Sequence, residues 1–218
     1  MKVLFPFVGD SVGGSHRSVL ELYFSLKKIG ITPVFVLHQA GPLSVLLDKL
    51  DIKYDYLFIK NLAGESPGLV GIVLSILLNF FKLSKFIRKN KIDIVHGNDL
   101  RVNLTWSLPT RLSNSVYIWH QRSLMSPSVL WKTSVLLANH FITISEYVHQ
   151  SLPSNIPKSK KTLILNPFNI KNTYDRSVSR KWLNELYDIP KNSILLGYIG
   201  RLVYWKNVDF LINCFKEY

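Results

Sequence analysis

Apolar residues fill the chain from Val3 to Val8, give way to Gly9-Asp10-Ser11-Val12-Gly13-Gly14-Ser15-His16-Arg17, and return as Val19, Leu20, Leu22, Tyr23, Leu26 and Ile29. The first run predicts a buried strand, and the second, at helical spacing, a helix stopped by Gly30. Thr32 to Leu37 then reads as a strand, Gly41-Pro42 opens a helix through Leu43, Leu46, Leu47 and Leu50, and Tyr54 to Ile59 reads as a third strand. Gly64 to Gly68, with Pro67, is a loop. Strand and helix alternating at this spacing imply right-handed crossovers and a parallel sheet covered on both faces.

The pattern continues beyond the loop. Leu69 to Phe81 is the most apolar stretch, and Lys82, Lys85, Arg88, Lys89 and Lys91 follow it with no acid among them. A membrane span needs about 20 apolar residues, and this run has thirteen before Lys82. It predicts a helix over Leu69 to Lys91, either packed as a core helix with a solvated basic tail or resting its basic end on anionic lipid headgroups. Ile92 to Asp99, Val116 to Arg122 and Phe141 to Glu146 each read as a strand with a polar tip, and Lys161 to Leu165 is a further strand closed by Asn166-Pro167-Phe168-Asn169. After a basic segment from Lys171 to Lys181, a short helix ends near Asp188-Ile189-Pro190. Ile194 to Ile199 predicts a new strand, and Phe210, Leu211, Cys214 and Phe215 a last helix. The expected organisation is a domain over residues 1–172, a linker over 173–190 and the start of a second, incomplete domain over 191–218.

With 218 residues, 47% of them hydrophobic, the chain buries a large core and is not disordered. Its formal charge of +13 favours anionic partners without choosing among nucleic acid, phosphorylated metabolites and acidic bilayers. No RNP, helix-turn-helix or zinc-finger spelling accompanies that charge, so no specific nucleic-acid partner is expected. The single Cys214 excludes an internal disulfide and a cysteine-based zinc site, the six histidines are scattered, and no metal is expected. Pro6 and Asp10 cut the first apolar run short, which makes it a strand and not an export signal. A reducing, cytoplasmic compartment follows as the default, with peripheral contact to the inner membrane face through the basic helix.

The glycine turn joins a strand to a helix, where glycines admit positive φ and close approach and the helix start attracts an anion. Gly13-Gly14 therefore reads either as a tight turn or as a cradle for a diphosphate. A Walker loop fits Gly9 and Gly14 but requires a lysine and a hydroxyl where the chain has Ser15 and His16, and the dinucleotide fingerprint lacks its acid, because the second strand ends in His38-Gln39. In an open parallel sheet, ligands bind beyond the carboxyl ends of the strands. His96, Asn98 and Asp99, then His120, then Ser145 and Glu146 stand at three such ends.

The order Gly13-Gly14, Asp93-Ile94-Val95-His96, His120, Ile144-Ser145-Glu146, Asn166-Pro167 and Gly200-Arg201-Leu202 with Lys206 resembles glycosyltransferase family 4, the retaining enzymes of GT-B fold. The resemblance implies an α/β, Rossmann-like, mainly parallel acceptor-side domain with a truncated second Rossmann-like domain. It also implies a nucleotide-sugar donor held mainly by that second domain, a glycan or lipid-linked acceptor in cell-envelope polysaccharide synthesis, and no cofactor or metal. His120 would lie near the reacting sugar, Arg201 and Lys206 would neutralise the leaving diphosphate with help from Gly13 and Gly14, and His96, Asn98, Asp99, Ser145 and Glu146 would line the acceptor side. The family's frequent acid after the histidine is Gln121 here, its Lys-Gly is Lys206-Asn207, and its Asn-Gly-x-Asp is Asn166-Pro167-Phe168-Asn169. The chain alone is expected to transfer no sugar at an enzymatic rate. A non-catalytic remnant or interaction module is the other reading.

Overall fold

The computed structural model describes residues 1–59, 62, 69–125, 136–167, 173–200 and 202–216. The chain divides into two compact units, Met1–Phe168 and Asn169–Tyr218. The expected loop at Gly64 to Gly68 lies outside the described residues.

In the first unit, β1 (Lys2–Phe7), β2 (Thr32–Leu37), β3 (Tyr54–Tyr56), β4 (Ile94–Gly97), β5 (Val116–Gln121), β6 (His140–Thr143) and β7 (Lys161–Leu163) form one sheet. Its order is β3-β2-β1-β4-β5-β6-β7, and each neighbouring pair is parallel. Alternation along β1 sorts the core. Val3, Phe5 and Phe7 join Val19, Leu20, Leu43 and Leu47 of α1 (Gly14–Lys28) and α2 (Pro42–Lys49) on one face. Leu4 joins Leu83, Ile87, Leu104 and Trp106 of α3 (Leu69–Asn90) and α4 (Leu100–Arg111) on the other. The expected parallel sheet with helices on both faces is thus present, with shorter strands than the apolar runs suggest. β3 ends at Tyr56, and Leu57 instead donates its N–H to the Leu37 carbonyl at 2.9 Å.

Chain order reverses between β1 and β4. Loops after these strands therefore diverge and leave a crevice at their carboxyl ends. Two backbones meet beside it. Gly9 has φ +105°, and a Cβ there would collide with the Gln39 carbonyl. A Cβ on Gly41 would lie 2.5 Å from the Gly9 carbonyl oxygen. Only glycine lets the loops after β1 and β2 pass this closely.

The apolar part of α3 does not go wholly into the core. Leu83 and Ile87 are buried, whereas Val70, Val73, Leu74, Leu77, Leu78 and Phe81 form an exposed stripe at helical spacing. Lys82, Lys85, Arg88 and Lys89 are exposed beyond it. No described helix is long and apolar enough to cross a membrane.

In the second unit, α6 (Arg176–Tyr187) starts on Asp175, whose carboxylate accepts the N–H groups of Ser177 and Val178 at 2.8 and 2.9 Å; α5 (Glu146–Gln150) belongs to the first unit. Arg180 of α6 bonds the carbonyls of Lys191 and Ser193. The strand expected at Ile194 to Ile199 is not formed. A parallel strand requires a neighbour for its N–H and C=O groups, and no described segment of this unit pairs with it. Ile194, Leu196 and Ile199 are exposed, as are Phe210, Leu211, Ile212 and Phe215 of α7 (Val208–Lys216).

Candidate active site

The carboxyl ends of β4 and β5 bring two buried histidines together. His96 pairs in register with Ile118, and His120 lies two residues further along β5 on the same face. Their rings lie nearly parallel, 11° apart, with His96 Nε2 3.2 Å from His120 Nδ1. His96 also packs on Phe5 with ring centres 5.4 Å apart.

Arg122, just past β5, organises what surrounds them. Its Nε and Nη2 donate to Asn98 Oδ1 at 3.2 and 2.8 Å. Its Nη1 donates to Asn166 Oδ1 at 2.9 Å, while Nη2 also reaches Ser18 Oγ of α1 and His120 Nδ1, both at 3.3 Å. Asn98 Nδ2 in turn donates to the His96 carbonyl at 3.1 Å. Four segments, the ends of β4 and β5, the loop after β7 and the start of α1, thereby converge on one guanidinium.

The donors fix the histidine tautomers. A guanidinium only donates, so His120 Nδ1 accepts from Arg122 and the neutral ring carries its proton on Nε2. His96 Nε2 faces the same Nδ1 at 3.2 Å. Burial first, then Arg122 and His96, push His120 down to about 2. Burial and then Arg122 push His96 down to about 3. Both rings are neutral at physiological pH, and His120 offers a hydrogen-bond donor and not a base. Its Nε2 is buried and has no hydrogen-bond partner among the described residues.

Gly13 and Gly14 do not supply the twisted backbone of the turn. Gly13 is extended at φ −150° and ψ −169°, and neither glycine has positive φ; that twist belongs to Gly9. What distinguishes them is space. A Cβ on Gly14 would meet nothing within 4 Å, and one on Gly13 only His16 Nδ1 at 4.0 Å. His16 Nδ1 accepts the Gly13 N–H at 3.0 Å, and the first bond inside the helix runs from Arg17 N–H to the Gly13 carbonyl. Burial lowers the pKa of His16 despite Asp99 and Asp10 nearby. The opening of α1 is therefore a helix start without acidic residues and with open space at Gly14, the Gly13 N–H being taken by His16.

Several expected rim residues serve the scaffold instead. Asp99 caps α4, accepting from Arg101 N–H at 2.8 Å, and Arg101 spans Asp99 and Asp10 at 3.4 and 2.9 Å. Ser145 Oγ caps α5 by accepting from Val148 N–H, and Glu146 is exposed and bonded to Gln150. No described contact joins Ser145 or Glu146 to the Arg122 cluster. Gln121 is buried, accepts the Trp119 indole N–H at 2.7 Å and donates to the Ser123 carbonyl at 2.7 Å. A carboxylate could not make that second bond while ionised.

Arg122 and Ser18 are the site residues that the sequence reasoning did not single out, and Asn166 entered it only as part of a motif. Arg122 carried a signal, as a cation two places after a strand-end histidine, but nothing local announced that Ser18 and Asn166 would meet it. In the second unit, Lys206 is exposed at the end of a 3₁₀ turn, Tyr204–Lys206. Asn207 follows at φ +50°, a left-handed position that glycine or asparagine fills most readily. Arg201 lies outside the described residues.

The model of Glycosyltransferase Family 4 matches residues 12–172, which hold Gly13-Gly14 and the whole histidine–arginine cluster. The chain belongs to glycosyltransferase family 4. Among solved structures, this family member is similar to Anabaena Alr3699/HepE in complex with UDP and glucose, at 17% identity and a TM-score of 0.73, over 100% of this chain and 58% of that one. A glycosyltransferase from Rickettsia africae ESF-5 is 23% identical with a TM-score of 0.62, over 88% and 50% of the two chains. A UDP-N-acetylglucosamine 2-epimerase aligns at 18% identity and a TM-score of 0.55, over 75% and 47%. These likenesses show an α/β, Rossmann-like fold that the chain shares with part of each of these structures. The chain spans a little over half the length of the HepE structures. No curated protein matches it.

Proposed function

We propose that the chain supplies the acceptor-side part of a retaining glycosyltransferase that moves a sugar from a nucleotide-sugar donor to a glycan or lipid-linked acceptor of the cell envelope. The observation that carries this reading is the family match over residues 12–172 together with the buried donor, His120 Nε2, at the carboxyl ends of the strands. Departure of a nucleoside diphosphate leaves negative charge that fixed donors can neutralise. In this reading the helix start at Gly13-Gly14 offers backbone N–H groups to that charge. His120 donates a hydrogen bond to the reacting sugar; as a neutral Nε2–H tautomer, it does not remove the acceptor's proton. HepE has been solved with UDP and with UDP-glucose, which supports a nucleotide-sugar donor. The test is a panel of labelled nucleotide sugars offered, with glycan and lipid acceptors, to this chain joined to a homologous donor domain. Transfer from at least one donor is expected; a folded chimera that transfers from none would refute the reading.

The same reading places the protein on the cytoplasmic face of a membrane. The exposed stripe of Val70, Leu74, Leu77, Leu78 and Phe81 supports this, with Lys85, Arg88 and Lys89 positioned to meet anionic headgroups. Each cation near such a surface contributes about 1 kcal/mol, so replacing these three by glutamine should weaken liposome binding by about a hundredfold. Sedimentation with phosphatidylglycerol vesicles measures it. Binding indifferent to lipid charge, salt and the triple substitution would exclude the electrostatic contact.

A further inference from the structure

Two neutral histidines facing each other can share a hydrogen bond in either direction. His96 Nε2 and His120 Nδ1 are 3.2 Å apart, and a neutral imidazole has one N–H and one bare nitrogen. In one arrangement His120 Nδ1 carries the hydrogen and donates to His96, which leaves His120 Nε2 bare. In the other Nδ1 is bare and the proton sits on Nε2. The rings lie 11° from parallel on adjacent strands, and nothing within the pair chooses between the two. Water has little access to settle the matter, because His96 is 4% and His120 8% exposed.

The choice is made from outside the pair. Arg122 Nη2 lies 3.3 Å from the same Nδ1, and a guanidinium has no atom that accepts. A hydrogen on Nδ1 would point at an N–H of Arg122, so the guanidinium admits one arrangement and excludes the other. Its own orientation is fixed. Nε and Nη2 donate to Asn98 Oδ1 at 3.2 and 2.8 Å, Nη1 to Asn166 Oδ1 at 2.9 Å and Nη2 to Ser18 Oγ at 3.3 Å. Asn98 is held in turn, because its Nδ2 donates to the His96 carbonyl at 3.1 Å and directs Oδ1 at the guanidinium. A planar fork anchored at both ends brings one N–H to the ring and cannot rotate to relieve a clash of donors.

Resting on the glycosyltransferase reading, we propose that Arg122 is a positioning residue for sugar transfer: its fixed N–H selects the proton arrangement of the His96–His120 pair in which His120 Nε2 is a donor toward the reacting sugar. In this role Arg122 touches no substrate and acts only through His120. Without it the pair falls back to both arrangements. In one of them His120 turns a bare nitrogen to the sugar and offers no hydrogen bond.

Nitrogen-15 NMR of His120 in the 218-residue chain tests this without any transfer reaction, so its result stands apart from the transfer assay. In the parent, Nε2 should give the signal of a protonated ring nitrogen and Nδ1 that of a bare one. In Arg122→Gln the two signals should move toward each other as the proton divides between the nitrogens. Arg122→Lys keeps a charged donor but loses the fork, so its displacement should be intermediate, and it serves alone if the glutamine variant does not fold. A parent spectrum with the proton on Nδ1, or signals unaltered in every variant that folds, would overturn the proposal. With a donor domain joined to the chain, Arg122→Gln should turn over about tenfold to a hundredfold more slowly, the range for a hydrogen bond to a charged group. Arg122→Lys should recover part of that loss. Glutamine-variant turnover within about twofold of the parent would also overturn the proposal. A parent chimera that transfers no sugar refutes the glycosyltransferase reading instead, and the NMR spectra still decide whether Arg122 sets the proton.

Discussion

Acidification below pH 6.5 is expected to destabilise the first unit steeply, through three histidines that the fold holds neutral. His38 sits between the Leu57 carbonyl, 2.9 Å from its Nδ1, and the Trp106 indole N–H, 2.9 Å from its Nε2, so both nitrogens are committed to a neutral ring. Burial lowers it from 6.5 to about 4, with Lys82 adding to the effect. His96 and His120 fall to about 3 and about 2. In each case the folded value lies below the unfolded one, so the unfolded chain binds more protons once the pH drops under 6.5. Above that pH the three contribute no dependence. Below it each removes about 1.4 kcal/mol of stability per pH unit until its folded value is reached. Three together remove about 4 kcal/mol per unit, against a total of about 5–15 kcal/mol for a domain. Urea denaturation should give equal midpoints at pH 7.5 and 7.0 and a loss of structure before pH 4. His38→Gln should reduce the slope by about a third. A midpoint constant from pH 7 to 5 would refute the buried neutral trio.

Exchanging single glycines of the first loop should separate folding from function. Gly9→Ala places a side chain at φ +105°, against the Gln39 carbonyl, where neither backbone can retreat without moving β1 or β2. Strained backbone and collision together cost about 3–5 kcal/mol, a fall of about 6–20 °C in thermal midpoint for a chain of this size. Gly14→Ala meets open space in a helical position and should be neutral or stabilising by up to about 1 kcal/mol. If a diphosphate approaches there, the alanine variant folds yet loses transfer. Thermal unfolding of the two variants checks the contrast, and equal midpoints would show that the crossing of the two loops is not rigid.

The sequence carried the sheet well because parallel strands buried on both faces are written as unbroken apolar runs, as in Val3 to Val8 and Thr32 to Leu37. Strand ends were less legible. Tyr54 to Ile59 is apolar enough to continue, but β3 lies at the sheet edge and only Tyr54–Tyr56 finds a partner. Ile194 to Ile199 failed for the same reason: its pattern is that of a strand, and pairing is a property of neighbours that local pattern does not contain. α4 escaped notice because Pro109 stands inside it. Proline removes one N–H and disfavours a helix, but here it falls in the last turn of a buried one.

The site was legible in its residues and less so in their roles. His96, Asn98 and His120 were placed at strand ends by their position, and the structure joins all three through Arg122. Asp99 and Ser145 have the same address but spend their side chains on helix starts, and Glu146 bonds Gln150. Aspartate and serine just before a helix are ambiguous between capping and chemistry. The tautomer of His120 was beyond sequence reasoning, because it depends on a guanidinium folding back over two residues and on amides from distant segments that fix its plane.

The central claim, that His120 acts as a neutral hydrogen-bond donor at the reacting sugar, is tested most directly by comparing turnover of the parent enzyme and its His120→Ala variant, with this chain joined to a donor domain. The rate should fall by about a hundredfold or more, as for loss of one preorganised donor, with thermal midpoint and UDP affinity retained. His120→Asn, which keeps an N–H donor, should recover part of the loss. Turnover by the alanine variant within about twofold of the parent would contradict the account.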